Sequence, residues 1–294
     1  MTVEIGRGKS GRRAYSLDEI GIVPSRRTRD PEEVSTAWQI DAYRFELPLV
    51  VCPMDSAVSP ATAVAIGRLG GLAVLDLEGL WTRYEDPEPV LAQVASLDDE
   101  SATRRLQEIY SEPIKEDLIG RRISEIRAAG VLAGFGGGSG HTTAAVLGVA
   151  VPMATAIADV AAARRDYLDE SGGRYVHVIA DGGMTRSGDI AKALACGADA
   201  VMVGSPFARA KQAPGRGYHW GSEAHHPDLP RGARVKVGTV GTLEQILCGP
   251  SAVADGSLNL IGALRRTMAI SGYSDLKEFQ RVEVVVTLSA PPRR

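Results

Sequence analysis

A parallel α/β architecture is predicted by three observations. Short β-branched runs end in glycine or proline turns, helical patterns follow those turns, and this order recurs along the chain. Residues 47–56, LPLVVCPMDS, read as a buried strand that empties into a loop at Pro53. A helix follows in SPATAVAIGRLGG, with Ser59 as N-cap, Pro60 at the first helical position and Gly70 and Gly71 as the stop. LAVLDLEG is the next strand. Residues 81–130 are charged and carry Leu106, Ile109, Ile114, Leu118, Ile119, Ile123 and Ile126 at mixed helical spacing, which predicts a pair of amphipathic helices broken near Pro113.

The βα order returns after Gly130. VLAGFGGGSG is a strand and glycine turn, HTTAAVLG opens a helix, and VPMATAIADVAAARRDYLDESGG is a further apolar segment and helix ending at Gly172 and Gly173. YVHVIADGG is a strand, SGDIAKALACG a helix stopped by Gly197, and DAVMVGSPFA a strand ending in Gly-Ser. Residues 211–256 are rich in Gly, Pro and His without lasting periodicity, as expected of an active-site flap or long surface loop. Two helices, LIGALRRTMAI and SDLKEF, close the pattern.

Of the 294 residues 44% are hydrophobic and 23% charged, ample for a buried core, and the motif order favours a single domain over residues 1–294 with no CBS domain. No window approaches the ~18 consecutive apolar residues of a membrane helix, and the basic N-terminal residues have no apolar stretch behind them, so a cytoplasmic protein with no membrane partner is expected. Thirty-three basic against 36 acidic residues leave a net charge of −3, which argues against a general nucleic-acid binder. Cys52, Cys196 and Cys248 are odd in number and lack metal-type spacing, which argues against a disulfide framework.

Three strand ends carry one chemistry: Gly136, Gly137, Gly138 and Ser139; Asp181, Gly182 and Gly183; and Gly204 with Ser205. In a parallel α/β fold the C-terminal strand ends share a rim, so these turns converge. Glycine lets backbone N–H groups approach a phosphate, serine adds a hydroxyl, and a following helix N-terminus adds a favourable dipole. Asp181, an acceptor when ionised, suits paired ribose hydroxyls. Each Gly pair alone is equally a tight strand-to-helix turn; three in successive units point to a phosphate site.

These stretches, with VVCPMDSAVSPATAVAIGRLGGLAVLD and GALRRTMAISGYSDLKEFQRVEVVV, resemble the IMP dehydrogenase and GMP reductase family of (β/α)8 TIM-type barrels, especially its IMP dehydrogenase-related branch. The resemblance implies a purine mononucleotide, IMP or GMP, held at its phosphate by Ser139, Gly182, Gly183, Gly204 and Ser205, at its ribose by Asp181 and along its base by Met54. It implies NAD or NADP as cofactor, and a monovalent cation such as K+ at Gly136, Gly138 and the carbonyl of His141. It also implies a purine-metabolism oxidoreductase of the GMP-biosynthesis type, with a homo-oligomeric assembly.

The chain departs from that family at three places. The family's nucleophilic cysteine position holds His141, in Ser139-Gly140-His141-Thr142-Thr143. His141 reads either as a helix-opening residue that contacts the loop or phosphate, or as a weaker nucleophile. Thr143 matches the family's proton-transfer threonine and equally suits the first turn of a helix. Cys52 lies on the same rim and reads as a small packing residue, Cys196 as core, and Cys248 as a buried residue near a helix end. LPLVV, LAVLD, VLAGF, YVHVIAD and DAVMV make five strands, and VPMATAI a sixth only if the helix before it is very short. A barrel needs eight, so about three βα units of ~30 residues are missing after Gly130, where relatives hold the cofactor. The family's Arg-Tyr flap motif is replaced by KQAPGRGYHWGSEAHHPD, in which Arg216 and Tyr218 lie near each other and His219, His225 and His226 read as part of a solvated loop. Segment 81–130 could cap an exposed sheet edge, or two chains could pair. Three outcomes follow: a nicotinamide-linked purine nucleotide oxidoreductase, a non-catalytic nucleotide-binding protein, or a decayed homologue.

Overall fold

The structure is a computed structural model that describes residues 2–40, 42–76, 78–126, 142, 146–173, 175–221 and 233–287. Two short hairpins, β1 (Thr2–Gly6) with β2 (Lys9–Arg12) and β4 (Trp38–Ile40) with β5 (Tyr43–Phe45), flank β3 (Ile20–Val23) in the chain. β6 (Leu49–Val51) and β7 (Leu72–Ala73) are the two strands expected from LPLVV and LAVLD. β8 (Ile179–Asp181) and β9 (Ala200–Val203) are those expected from YVHVIAD and DAVMV.

These last four strands form one parallel sheet in the order β7-β6-β9-β8 among the described residues. β6 lies inside the sheet, between β7 and β9. The first βα strand of the chain is hydrogen-bonded to the last, with Val50 opposite Met202, while β7 flanks it on the other side. A barrel wall also pairs its first βα strand with its last, so this order fits an arc of such a wall, although open doubly wound sheets likewise set strand 1 beside a later strand. Every residue of β6 and β9 is buried, as parallel strands covered on both faces must be. The strand expected at VLAGF lies outside the described residues.

The helices follow the sequence signals closely. α1 (Pro60–Arg68) starts where Ser59 Oγ accepts from the Thr62 N–H, and it stops before Gly70, which is left-handed at φ +90°. The segment after it differs from expectation, because α2 (Glu88–Ser96), α3 (Asp99–Ser111) and α4 (Glu116–Ile126) are three helices rather than two. The break at Pro113 is present, and an additional one falls where the Asp98 carboxylate caps α3 through the Ser101 N–H. α5 (Met153–Glu170) buries Ala154, Ile157 and Ala161 at helical spacing, so VPMATAI opens this helix and is not a sixth strand. α6 (Ser187–Ala195) ends at Gly197, φ +112°.

A four-residue helix, α7 (Ser205–Ala208), follows β9. The region expected to be a loop holds order: β10 (Tyr218–His219) pairs with β11 (Val235–Lys236), and α8 (Leu243–Leu247) is capped by Thr242 and Gln245. α9 (Leu260–Ser271) and α10 (Leu276–Phe279) are the two closing helices, and β12 (Glu283–Val286), not expected from sequence, pairs with β3. The main core surrounds the sheet. A second cluster joins Leu80, Trp81, Leu91, Leu106 and Ile109 to Trp220, so α2 and α3 pack against the flap, while α4 lies against α1. No helix among the described residues is long and apolar enough to cross a membrane.

Candidate functional site: the C-terminal rim of the sheet

Strand register sets the rim. Asp181 lies opposite Met202 on β9, and the Cys52 N–H donates to the Val203 carbonyl at 3.0 Å, so the loops after β6, β8 and β9 leave the sheet at one level. After β8, Gly182 and Gly183 are both left-handed, at φ +100° and +77°, a conformation that a Cβ penalises. The Asp-Gly-Gly turn is therefore conformationally obligatory. Gly204 has an ordinary φ and is required for a different reason. A Cβ there would stand 2.5 Å from Cys52 Sγ, 3.1 Å from Met54 Sδ and 3.3 Å from His219 Cε1. Those contacts locate four residues at one point: Gly204, Cys52, Met54 and His219.

Gly182, Gly183, Gly204 and Ser205 keep solvent access, Asp181 is half-buried, and Met54 is buried beneath them. Of the residues expected at the site, Met54, Asp181, Gly182, Gly183, Gly204 and Ser205 all belong to these three loops. Ser139, Gly136, Gly138, His141 and Thr143 lie outside the described residues, as do His225 and His226. Among the described residues no group of three or more His, Cys, Asp or Glu side chains is placed to hold a metal ion.

The cysteines do not supply an activated thiol. Burial first, then the charge of Asp181, pushes the Cys52 thiol far up, so it packs as a neutral side chain. Burial raises Cys196 to about 11. Cys248, expected to be buried, is exposed, because the C-cap position of α8 turns it away from the apolar face formed by Ile246 and Leu247. Its thiol is also shifted up, by partial desolvation and then by Glu244.

Sequence reasoning missed the layer behind the rim. Asp55, Ser56, Tyr110, His219 and Trp220 are all buried. His219, placed in a solvated loop from sequence, is only 2% exposed, because Gly215 lets the chain turn tightly over Ser56: a Cβ at Gly215 would meet the Tyr218 carbonyl at 2.3 Å. Ser56 Oγ stands 3.0 Å from His219 Nδ1 and accepts from the Trp220 N–H at 3.3 Å. Asp55 Oδ2 accepts from the Leu80 N–H at 2.9 Å and from the Tyr110 hydroxyl at 2.6 Å. Burial, then the charge of Asp76, pushes the Asp55 carboxyl up to about 7 against these hydrogen bonds and Arg83. Arg216 pairs with Glu88 at 2.8 Å, and the Tyr218 ring lies under the Arg234 guanidinium.

A cavity of about 520 Å³ lies at the opposite end of the sheet, lined by Trp38, Arg44, Tyr175, His177, Asp199 and Lys277 among others. Its acidic centre is already satisfied: Asp199 accepts from Arg164 at 2.6 Å, Tyr175 at 2.7 Å, Gln280 at 3.0 Å and the Val178 N–H at 2.8 Å, and pairs with Lys277. The N-terminal end of such a sheet carries stability rather than chemistry.

Residues 114–226 match the IMP dehydrogenase / GMP reductase domain model. A protein of Mycolicibacterium smegmatis described as an uncharacterized oxidoreductase is 44% identical over 372 residues, spanning 97% of this chain and 99% of that protein. That alignment exceeds the 294 residues of this chain by 78 positions, on the order of three βα units at ~30 residues each. The inosine-5′-monophosphate dehydrogenase of Haemophilus influenzae is 53% identical over 93 residues, 32% of this chain and 18% of that protein. In structure, the IMP dehydrogenase/GMP reductase-like protein of Corynebacterium glutamicum superposes with a TM-score of 0.92 at 41% identity, covering 97% of this chain and 98% of that one. The sheet is thus part of a TIM-type α/β barrel fold, and the chain belongs to the IMP dehydrogenase/GMP reductase family.

Proposed function

We propose that the rim binds a purine 5′-monophosphate, IMP or GMP, in the manner of a family oxidoreductase. The observation that carries this reading is the convergence of the Asp181-Gly182-Gly183 turn with Gly204 and Met54. Backbone N–H groups of the two glycine turns and the Ser205 hydroxyl are suited to the phosphate. Asp181 accepts from ribose hydroxyls, and Met54 lies along the purine. Gly204 lets Cys52, Met54 and the His219 ring close in behind this turn. The oxidoreductase class brings with it NAD or NADP, which accepts or donates hydride when bound, and a K+ ion at Gly136, Gly138 and His141.

A second reading, a nucleotide-binding protein without covalent chemistry, is favoured by His141 at the nucleophile position and by the raised thiols of Cys52, Cys196 and Cys248. One experiment separates the two. Thermal melts with IMP or GMP report binding, while nicotinamide absorbance with IMP plus NAD, or GMP plus NADPH, reports turnover. Stabilisation with turnover supports the oxidoreductase, and stabilisation alone supports the binding protein. Absence of both removes both readings.

A further inference from the structure

Three consecutive residues of the β6 loop face three different parts of the molecule. Met54 touches the Gly204 position, Asp55 holds Tyr110 on α3, and Ser56 holds Trp220 and His219 on the flap. The circuit is closed from the far side, because the Trp220 indole N–H donates to the Tyr110 hydroxyl at 3.3 Å while that hydroxyl donates to Asp55. Trp220 is thus held at both ends, its backbone by Ser56 and its indole by Tyr110. The adjacent His219 ring packs against the Gly204 position. The flap is pinned to the helical segment at two further points: Arg216 to Glu88, and Arg234 to the Val94 and Leu97 carbonyls at 2.5 and 2.6 Å.

We propose that Tyr110 is a positioning residue for the mononucleotide site: its hydroxyl fixes Trp220, and through Trp220 the His219 ring, against the phosphate turn at Gly204. Segment 80–126 then belongs to the nucleotide site and does more than cover a sheet edge. The proposal rests on the nucleotide-binding reading above. Tyr110 is suited to the task because it is buried and simultaneously accepts from one loop and donates to another. Truncating it to Phe keeps the ring in the apolar cluster and removes the hydroxyl that bonds Asp55 and Trp220.

The test compares wild type with Tyr110→Phe, Trp220→Phe and Asp55→Asn by calorimetric titration of GMP and IMP, with the folded fraction of each variant measured by its melt. Hydrogen–deuterium exchange of residues 215–221 with and without nucleotide supplies a second readout. Tyr110→Phe and Trp220→Phe should each weaken nucleotide binding roughly tenfold and abolish ligand-induced protection of 215–221. Asp55→Asn keeps an amide oxygen for the Tyr110 hydroxyl and should retain wild-type affinity within about threefold. Unchanged affinity and protection in both Tyr110→Phe and Trp220→Phe, with wild type binding normally, overturns the proposal and leaves the site reading intact. A variant that does not fold is read from the other of that pair. A wild type that binds neither nucleotide removes the site reading and this proposal together.

Discussion

Gly204 and the two glycines after Asp181 are required for different physical reasons, and substitutions should separate them. Gly204→Ala forces a methyl into Cys52 Sγ and Met54 Sδ, an overpacking expected to cost about 1–3 kcal/mol in a urea melt. Cys52→Ala in the same chain removes the nearest atom and should restore part of that loss. Gly183→Ala meets backbone strain at φ +77° instead, of about 1 kcal/mol or more, and Cys52→Ala should not relieve it. Asp55 predicts a pH dependence. Its folded pKa of about 7 stands above the ordinary 3.8, so between those limits the folded protein holds more protons than the unfolded chain. The Asp55 contribution to stability therefore declines as pH rises from about 4 to about 7 and is flat above, a change of a few kcal/mol. Chemical melts of wild type and Asp55→Asn at pH 5 and pH 8 check the sign, since the variant should lose less stability over that interval.

At the scale of elements, the sheet is held at its N-terminal end by one buried carboxylate. Asp199 precedes β9, bonds the N–H of Val178 before β8, and draws in Arg164 of α5 and Lys277 of α10. Burial opposes the charge, but the Lys277, Val178 and Tyr175 hydrogen bonds hold the Asp199 carboxyl below the usual carboxylate range. The sign is opposite to that of Asp55: this stability is present above the ordinary carboxylate pKa and is lost as pH falls through the lower folded value. Asp199→Asn leaves Arg164 buried without its counter-charge and should cost about 3–5 kcal/mol in denaturant. The helix ends were legible because capping is local. Ser59-Pro60 opening α1 and Gly197 closing α6 are satisfied within a few residues of the chain. The break at Asp98 is equally local, but the acidic residues around it mask the cap signal.

For the whole molecule, the missing block raises the question of whether a shortened barrel folds as a unit. The pairing of β6 with β9 and the continuous core around the sheet favour a single transition, because the first and last strands stabilise each other. Calorimetry should show one sharp endotherm; a broad, non-cooperative melt would instead support the decayed homologue. We also propose a homo-oligomer, to be checked by sedimentation, since a wall of fewer strands leaves edges to be paired or covered.

From sequence alone, the βα order and the Asp-Gly-Gly and Gly-Ser strand ends determined the α/β class and the turns at Asp181, Gly182, Gly183, Gly204 and Ser205, while the resemblance of whole stretches to a known family supplied the family and Met54. These are short-range features: a turn that needs a left-handed residue, or a helix that needs a cap, states that need within four or five positions. Tertiary structure alone decided what stands behind the rim. Asp55 meets Tyr110 across 55 positions and Ser56 meets His219 across 163, separations over which no periodicity or spacing carries information. The polarity of His219 pointed to solvent, and only the packing of the flap onto the helical segment buries it beside Trp220, because the polar atoms of both find partners on elements distant in the chain.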